Sequence, residues 1–212
     1  VHAAVEQAWA AFSTVNVVVS NAGYGLIGAL EEYTEAQIQS CLQTNLVGDW
    51  TLFRAVIPRL RAQGGGRLLA TSAIASVSNE LGFSVYGATK AALYATCESL
   101  RGELKPFGIH VSVITPGPFR TEFISRSLDR AAELPEYQST VGQFTAFLGK
   151  IDGKQAGDPV KAAHAVMQLA AAEAPPFRLL LGKYAHLKMR KKLQAESTEM
   201  DSWRQVGEPT DY

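Results

Sequence analysis

Residues 84–93 read Ser-Val-Tyr-Gly-Ala-Thr-Lys-Ala-Ala-Leu and place Tyr86 four residues before Lys90. We predict that this stretch begins a long helix that ends near Phe107, where Gly108 provides a stop. Residues four apart lie on one face of a helix, so the phenol and the ammonium would be neighbours. A nearby positive charge favours phenolate and lowers the pKa of tyrosine from its usual value of about 10. The pair is therefore a candidate for proton transfer.

The chain contains a second tyrosine and lysine at this spacing, Tyr184 and Lys188. This copy lies among several other basic residues, so we interpret it as a solvated helix face rather than a reactive site. Short motifs also occur by chance, so the surrounding structure must show whether a tyrosine and lysine pair is catalytic. The rest of the sequence supplies such a context for Tyr86.

The composition indicates one globular domain with a sizeable core. The 212 residues are 47% hydrophobic and 19% charged, and the formal net charge is zero. We therefore expect neither nucleic acid nor a membrane as a partner. The N-terminus lacks the pattern of a signal peptide, which favours a cytoplasmic protein. Cys41 and Cys97 are expected to be free buried thiols, and no cysteine or histidine has the spacing of a metal site.

Four apolar runs alternate with helical segments along the chain. The predicted strands cover residues 15–20, 67–72, 109–114 and 177–181, and the predicted helices cover 1–12, 34–63 with a bend near Asn45, 84–107, 158–172 and the basic stretch after Gly182. Such alternation forms βαβ units, which build a parallel sheet with helices on both faces. Asn21, Ser72 and Pro116 then follow the carboxyl ends of three strands, the edge at which these sheets bind ligands.

Residues 119–157 interrupt this alternation. The segment is irregular and contains Phe123, Tyr137, Phe144 and Phe147. Because small-molecule pockets are mostly apolar, we interpret it as a mobile, substrate-facing insertion with one or two short helices. Each aromatic side chain taken singly could instead belong to a packed core. We expect residues 1–212 to form a single domain that includes this insertion.

Together these signals resemble the short-chain dehydrogenase/reductase family over nearly the whole chain. The matching motifs are Asn21-Ala22-Gly23 after a strand, Asn45 in Asn-Leu-Val-Gly, Tyr86 with Lys90, and Pro116-Gly117 with Thr121. The C-terminal pattern around Gly157-Asp158-Pro159 and Leu180-Leu181-Gly182 resembles the subgroup related to 17β-hydroxysteroid dehydrogenases. The resemblance implies an α/β, Rossmann-like, doubly wound parallel sheet, here with about four strands and with helices on both faces.

The resemblance also implies an activity, namely the interconversion of a ketone or aldehyde and an alcohol. NAD or NADP would carry the hydride, and a small apolar carbonyl compound or alcohol would be the substrate. Tyr86 would be the general acid/base, and Lys90 would lower its pKa and bind the nicotinamide ribose. Asn45 would hold a water in a proton relay, or would instead bond backbone groups at a helix bend. The implied cofactor-binding residues are Asn21, Ala22, Gly23, Tyr86, Lys90, Pro116, Gly117, Phe119 and Thr121.

Two departures from the family pattern affect these expectations. The family's catalytic serine lies thirteen residues before the tyrosine, and that position is Ala73 here, preceded by Ser72. Ser72 could replace it only if the strand end twists, because neighbouring strand residues point to opposite faces. A catalytically impaired family member that acts as a binding or interaction module is therefore the alternative function.

The second departure is that the glycine-rich phosphate loop and the first strands of the family fold have no counterpart. We therefore expect an N-terminally truncated domain, and the residues that distinguish NAD from NADP would belong to the segment it lacks. The strand at residues 15–20 would then have an unpaired edge. Because such edges favour pairing with another chain, we expect a homo-oligomer.

Overall fold

The computed structural model describes residues 1–211, and its centre is a parallel sheet. The strands in chain order are β1 (Val17–Ser20), β2 (Gly25–Ile27), β3 (Gly66–Thr71), β4 (Ile109–Pro116), β5 (Leu128–Arg130) and β6 (Arg178–Leu181). The main sheet has four strands in the order β1-β3-β4-β6, and each adjacent pair is parallel. All four predicted strands are therefore present, and the predicted fold class is confirmed.

Helices connect the strands. In chain order they are α1 (His2–Phe12), α2 (Glu35–Leu42), α3 (Gly48–Ala62), α4 (Ser84–Leu104), α5 (Phe123–Arg126), α6 (Gln143–Ile151), α7 (Pro159–Ala171) and α8 (Lys183–Gly207). Within residues 1–211, none of these helices is both long and apolar enough to cross a membrane.

Local sequence signals set several helix ends. The Thr34 hydroxyl accepts a hydrogen bond from the Gln37 N–H at 3.2 Å, and the Gln37 side chain accepts one from the Thr34 N–H at 3.1 Å, so α2 begins with a capping box. Asp158 caps α7, and Pro159 occupies its first position. Gly108 adopts the left-handed conformation that ends the region after α4.

A single π-helical turn, Gln43–Val47, joins α2 to α3. It contains Asn45, which is fully buried, and it explains the bend predicted at this residue. π-Turns inside helices are frequent at functional sites because they change the direction of one side chain. Here the turn directs Asn45 towards the loop after β1.

Alternate residues of each strand face opposite helical layers. On one face Leu68 and Val111 pack with buried residues of α1, α3 and α4. On the other face Leu69 and Ile114 pack with Leu169 of α7. This period of two matches a sheet buried on both sides and confirms the prediction of helices on both faces.

The loop after β1 contains a strand that the sequence did not predict. β2 pairs in parallel with β5, from the middle of the 119–157 segment, and Gly25 lies beside Leu128. A Cβ atom at Gly25 would lie 2.7 Å from the ends of the Leu128 and Phe123 side chains, so a larger residue here would have to displace them. Since its partner lies about a hundred residues away in the chain, no local pattern marks β2.

Strand β1 lies at an edge of the main sheet, as predicted, and pairs with β3. A cleft of about 520 Å³ runs between β1, α1 and α3. Its lining is mostly apolar, including Val5, Trp9 and Val17, and its polar side chains are Ser20, Thr44 and Asp49. Truncation of the domain, and its division into a core and an insertion, stay predictions.

Candidate active site

Tyr86 and Lys90 lie in the first two turns of α4, at the carboxyl edge of the sheet. Their side chains are buried, with 8% and 5% exposure. The Lys90 ammonium donates to the carbonyl oxygen of Thr71 at 3.0 Å, and Thr71 is the last residue of β3. The Ser72 hydroxyl donates to the carbonyl oxygen of Lys90 at 3.0 Å. These two hydrogen bonds attach the start of α4 to the end of β3.

Asn45 bonds both backbone groups of Tyr24 in the loop after β1. Its Oδ1 accepts from the Tyr24 N–H at 3.0 Å, and its Nδ2 donates to the Tyr24 carbonyl at 2.8 Å. The same Nδ2 lies 3.4 Å from the Thr89 hydroxyl oxygen, one residue before Lys90. Asn45 therefore performs the backbone-bonding role at a bend that the sequence left as an alternative. Its part in a proton relay stays a prediction.

Gly23 lies where Asn45 and Lys90 converge. A Cβ atom at this position would lie 3.1 Å from Asn45 Oδ1 and 3.2 Å from Lys90 Nζ. Asn21, Ala22 and Gly23 are all exposed, and the lack of a side chain at Gly23 allows the backbone to approach the amide oxygen and the ammonium closely. A sugar carries hydroxyl groups that can donate to the first and accept from the second. These residues thus fit the ribose of a nicotinamide cofactor.

The segment from Pro116 to Thr121 continues from the end of β4. The Gly117 N–H donates to the Leu181 carbonyl at 3.0 Å, which holds the segment at the end of β6. The Phe119 side chain is half-buried and packs in the α7 layer. Thr121 is exposed, and its hydroxyl accepts from the Phe123 N–H at 3.3 Å.

Aromatic side chains enclose Tyr86. The ring centroids of Phe83 and Phe123 lie 5.4 and 5.8 Å from that of Tyr86. Ala73 belongs to the same buried cluster, so the position that corresponds to the family's serine lies in the cluster around Tyr86 and carries only a methyl group. The Ser72 hydroxyl, by contrast, donates to the Lys90 carbonyl.

Burial controls the ionisation of the pair. Burial raises the pKa of Tyr86, and the interaction with Cys41 raises it further. Burial lowers the pKa of Lys90, against the opposing effects of Asp49 and Cys41. The predicted lowering of the Tyr86 pKa by Lys90 is therefore wrong for this arrangement, because the ammonium bonds the Thr71 carbonyl and aromatic rings exclude water from the phenol.

Asp49 and Ser20 form a buried polar pair that the sequence analysis missed. The Ser20 hydroxyl donates to Asp49 Oδ1, and Asp49 Oδ2 has no hydrogen-bond partner within residues 1–211. Burial raises the pKa of Asp49, opposed by the Ser20 hydrogen bond and by the charge of Lys90. The available signal was a carboxylate four residues after Asn45, on the buried side of α3.

The second tyrosine and lysine pair lies at the surface. The Tyr184 hydroxyl donates to Glu80 at 2.7 Å, and the Lys188 ammonium lies 2.7 Å from the same carboxylate. This geometry agrees with its interpretation as part of a helix face. Cys41 and Cys97 are free and buried, as predicted, and burial raises the pKa of the Cys41 thiol to about 11.

Sequence comparisons identify relatives of this chain. The profile of the short chain dehydrogenase family matches residues 1–131. The chain is 30% identical over 203 residues to oxidoreductase BOA17 of Botryotinia fuckeliana (strain B05.10), a match that covers 96% of this chain and 74% of that protein. It is 39% identical over 120 residues to 17-beta-hydroxysteroid dehydrogenase type 1 of Homo sapiens, covering 57% of this chain and 37% of that protein.

The fold agrees with these matches. A short-chain dehydrogenase from Streptomyces avermitilis, known from its crystal structure, superposes with a TM-score of 0.90 at 34% identity. The superposition covers 99% of this chain and 77% of that one. Both the Rossmann-like fold and the family resemblance are confirmed. The chain belongs to the short-chain dehydrogenase family of NAD(P)-dependent oxidoreductases.

Proposed function

We propose that this chain interconverts a ketone or aldehyde and an alcohol, using NAD or NADP, with Tyr86 as the general acid/base. The observation that carries the proposal is the convergence of Tyr86, Lys90, Asn45 and Gly23 at the carboxyl edge of the sheet. A relative named as a hydroxysteroid dehydrogenase, together with the apolar side chains around Tyr86, supports a small apolar alcohol or carbonyl compound as substrate.

The cofactor would lie against the exposed loops at the ends of β1 and β4. Lys90 and the backbone of Gly23 would hold its ribose, beside Asn21 and Ala22. Backbone groups of Pro116, Gly117 and Phe119, with the Thr121 hydroxyl, would hold the nicotinamide amide. When bound, the nicotinamide supplies or accepts the hydride, which no side chain can do.

Tyr86 would move the proton. In reduction its phenol donates a proton to the substrate carbonyl oxygen, and in oxidation its phenolate removes the proton of the alcohol. With its pKa raised by burial, the Tyr86 phenol stays protonated near neutral pH, which is the form that proton donation in reduction requires. Phe83 and Phe123 exclude water around the ring, so the proton passes to substrate rather than to solvent.

Lys90 and Asn45 would support this step. The Lys90 ammonium is a proton donor close to the Asn45 amide oxygen, and the adjacent Gly23 is exposed. A water held by Asn45 would connect Lys90 to bulk solvent and restore the proton that Tyr86 gives up. The relatives named as oxidoreductases favour this enzymatic role over the alternative of an impaired binding module.

Substitution of Tyr86 tests the proposal. Purified chain is assayed for oxidation of NADH and NADPH with a series of apolar ketones and aldehydes. Tyr86→Phe should lower kcat by about 10²–10⁴-fold, since only the phenolic proton donor is removed. Tyr94→Phe is the matched control, because Tyr94 lies in the same helix and its hydroxyl donates to the exposed Glu98. Turnover of Tyr86→Phe within about threefold of the parent, or no oxidation of either cofactor by the parent, would contradict the proposal.

A further inference from the structure

The second tyrosine and lysine pair contacts a loop that leads into the candidate active site. Tyr184 and Lys188 lie one turn apart in α8, and both bind Glu80. The Tyr184 hydroxyl donates to the Glu80 carboxylate at 2.7 Å, and the Lys188 ammonium lies 2.7 Å from the same oxygen. We call these three residues the Glu80 cluster. Glu80 belongs to the β3–α4 loop, residues 72–83, so the cluster joins this loop to the start of α8.

The β3–α4 loop connects Glu80 with the ring that packs on Tyr86. The Phe83 N–H donates to the Glu80 carbonyl at 3.2 Å, and Asn79 Nδ2 donates to the Phe83 carbonyl at 3.0 Å. Phe83 is buried, and its ring centroid lies 5.4 Å from that of Tyr86. A displacement of Glu80 would therefore be felt three residues later, at a side chain that borders the proposed proton donor.

Tyr184 also lies against the segment after β4. A Cβ atom at Gly117 would lie 3.4 and 3.5 Å from Cδ1 and Cβ of Tyr184, which is van der Waals contact. The Gly117 N–H donates to the carbonyl of Leu181, at the end of the strand that precedes α8. The ring of Tyr184 thus adjoins Gly117, while its hydroxyl holds Glu80. One side chain links the two loops that follow β3 and β4.

The Glu80 cluster is suited to a local effect on these loops. Burial, together with the hydrogen bond to Glu80, raises the pKa of Tyr184 to about 12, so its phenol remains a donor near neutral pH. The Lys188 ammonium lies 5.9 Å from the centroid of the Tyr184 ring, a further favourable contact. The side chains of Lys188 and Glu80 are partly exposed. Since such ion pairs contribute little to the stability of a whole fold, we expect the cluster to act mainly on the loop that it holds.

We propose that Tyr184 is a positioning residue, which holds the β3–α4 loop, and with it Phe83, at a fixed place relative to Gly117. The inference rests on the proposed function, in which Gly117 belongs to the segment that would hold the nicotinamide amide and Tyr86 is the proton donor. Both groups must act on one substrate carbonyl, so their relative placement affects the rate. A misplacement of about 1 Å can lower a rate by about 10²-fold.

Two substitutions at Tyr184 separate its hydroxyl from its ring. Tyr184→Phe removes the contact with Glu80 and leaves the ring beside Gly117. We expect kcat/KM for the ketone to fall at least about tenfold, mainly through KM, while the Kd of nicotinamide mononucleotide stays within about twofold of the parent. Tyr184→Ala should weaken both. Tyr94→Phe, which removes a hydroxyl that donates to Glu98 within α4, is the matched control and should change neither.

A double-mutant cycle tests whether Tyr184 acts through Glu80. Glu80→Ala should lower kcat/KM as much as Tyr184→Phe, and the double variant should be no worse than either single one, because both break the same contact. Glu80→Gln keeps an acceptor for the Tyr184 hydroxyl and should retain most of the parent's kcat/KM. Lys188→Ala should lower kcat/KM, whereas Lys192→Ala should not, since the Lys192 ammonium pairs with Glu196 of its own helix. Independent effects of Tyr184→Phe and Glu80→Ala would overturn the proposal.

Hydrogen exchange, followed by NMR, provides a readout that needs no turnover. The Phe83 amide should exchange at least about fivefold faster in Tyr184→Phe than in the parent, because the loop opens more often, and Tyr94→Phe should leave it unchanged. Urea denaturation verifies that each variant remains folded. Unchanged exchange at Phe83, or an unchanged kcat/KM in Tyr184→Phe, would overturn this inference and leave the proposed function intact. A parent that oxidises neither cofactor would contradict the proposed function, and exchange at Phe83 would still decide whether Tyr184 holds the loop.

Discussion

The Ser72 hydroxyl donates to the Lys90 carbonyl oxygen at 3.0 Å, while the next residue, Ala73, belongs to the buried cluster that contains Tyr86. Neighbouring residues at a strand end point in opposite directions, so only one of the two positions can present a hydroxyl to the candidate active site. That position is 73. The distinction leads to opposite expectations for two small substitutions.

Ala73→Ser should increase turnover. A preorganised donor to a developing oxyanion contributes about 10²–10³ in rate, so we expect kcat to rise at least about tenfold. Ala75→Ser is the control, because Ala75 packs half-buried against the same cluster. Steady-state kinetics of the parent and both variants provide the measurement. An unchanged kcat in folded Ala73→Ser would show that position 73 does not face the reacting oxygen.

Ser72→Ala should affect stability more than chemistry. The substitution removes one buried hydrogen bond and leaves the Lys90 carbonyl without it, so the free energy of unfolding should fall by about 1 kcal/mol. Turnover should stay within a few-fold of the parent. Urea denaturation and kinetics on the same preparation separate the two effects. Loss of all turnover in a folded Ser72→Ala variant would instead assign the catalytic hydroxyl to Ser72.

Gly23→Ala should weaken binding of the nicotinamide half of the cofactor. The added methyl group would occupy the space in front of Asn45 Oδ1 and Lys90 Nζ. Titration with nicotinamide mononucleotide, followed by NMR, measures this binding without requiring turnover, and we expect at least about a tenfold increase in Kd. Gly149→Ala is the matched control, because a Cβ atom there meets nothing within 4 Å. Equal affinities in the two variants would place the cofactor elsewhere.

Asp49→Asn should stabilise the protein at neutral pH. The folded-state pKa of Asp49 is raised above its unfolded value, so the folded state prefers the protonated carboxyl. The stabilising contribution of that proton is complete below the unfolded pKa of about 3.9 and is lost as pH rises through the folded pKa. The ionised carboxylate therefore destabilises the fold near pH 7, and asparagine removes that charge.

The increase in unfolding free energy caused by Asp49→Asn should become smaller towards about pH 4, where the parent also carries a neutral side chain at this position. Urea denaturation at several pH values measures the difference in unfolding free energy between variant and parent. Glu173→Gln, at an exposed position, is the control for removal of a negative charge. If the difference in unfolding free energy between variant and parent is the same at every pH, ionisation of Asp49 does not destabilise the fold.

Substitutions at two neighbouring residues of the 119–157 segment test how this segment packs against the rest of the protein. Leu148 is buried in the cluster that encloses Tyr86, whereas Phe147 is 49% exposed. Leu148→Ala should lower the free energy of unfolding by about 2–5 kcal/mol, because it leaves a cavity in the core. Phe147→Ala should change it by less than about 1 kcal/mol. Similar losses in both variants would show that the segment packs differently.

The sequence by itself determined most of the architecture. Apolar runs located the four strands of the main sheet, and Thr34, Asp158 and Gly108 marked helix ends. These features depend on residues within a few positions of one another, whose periodicity and capping follow from local backbone geometry. The order of the strands and the start of α4 then placed Tyr86 and Lys90 at the carboxyl edge of the sheet.

The tertiary structure alone decided the properties that depend on distant residues. β2 exists because β5 pairs with it, and Ser20 meets Asp49 across 29 residues of chain. Whether Lys90 or burial controls the pKa of Tyr86 likewise depends on the Thr71 carbonyl and on surrounding aromatic rings. Burial, hydrogen bonding and charge act through space, and a sequence pattern records which residues are present without recording the distances between them.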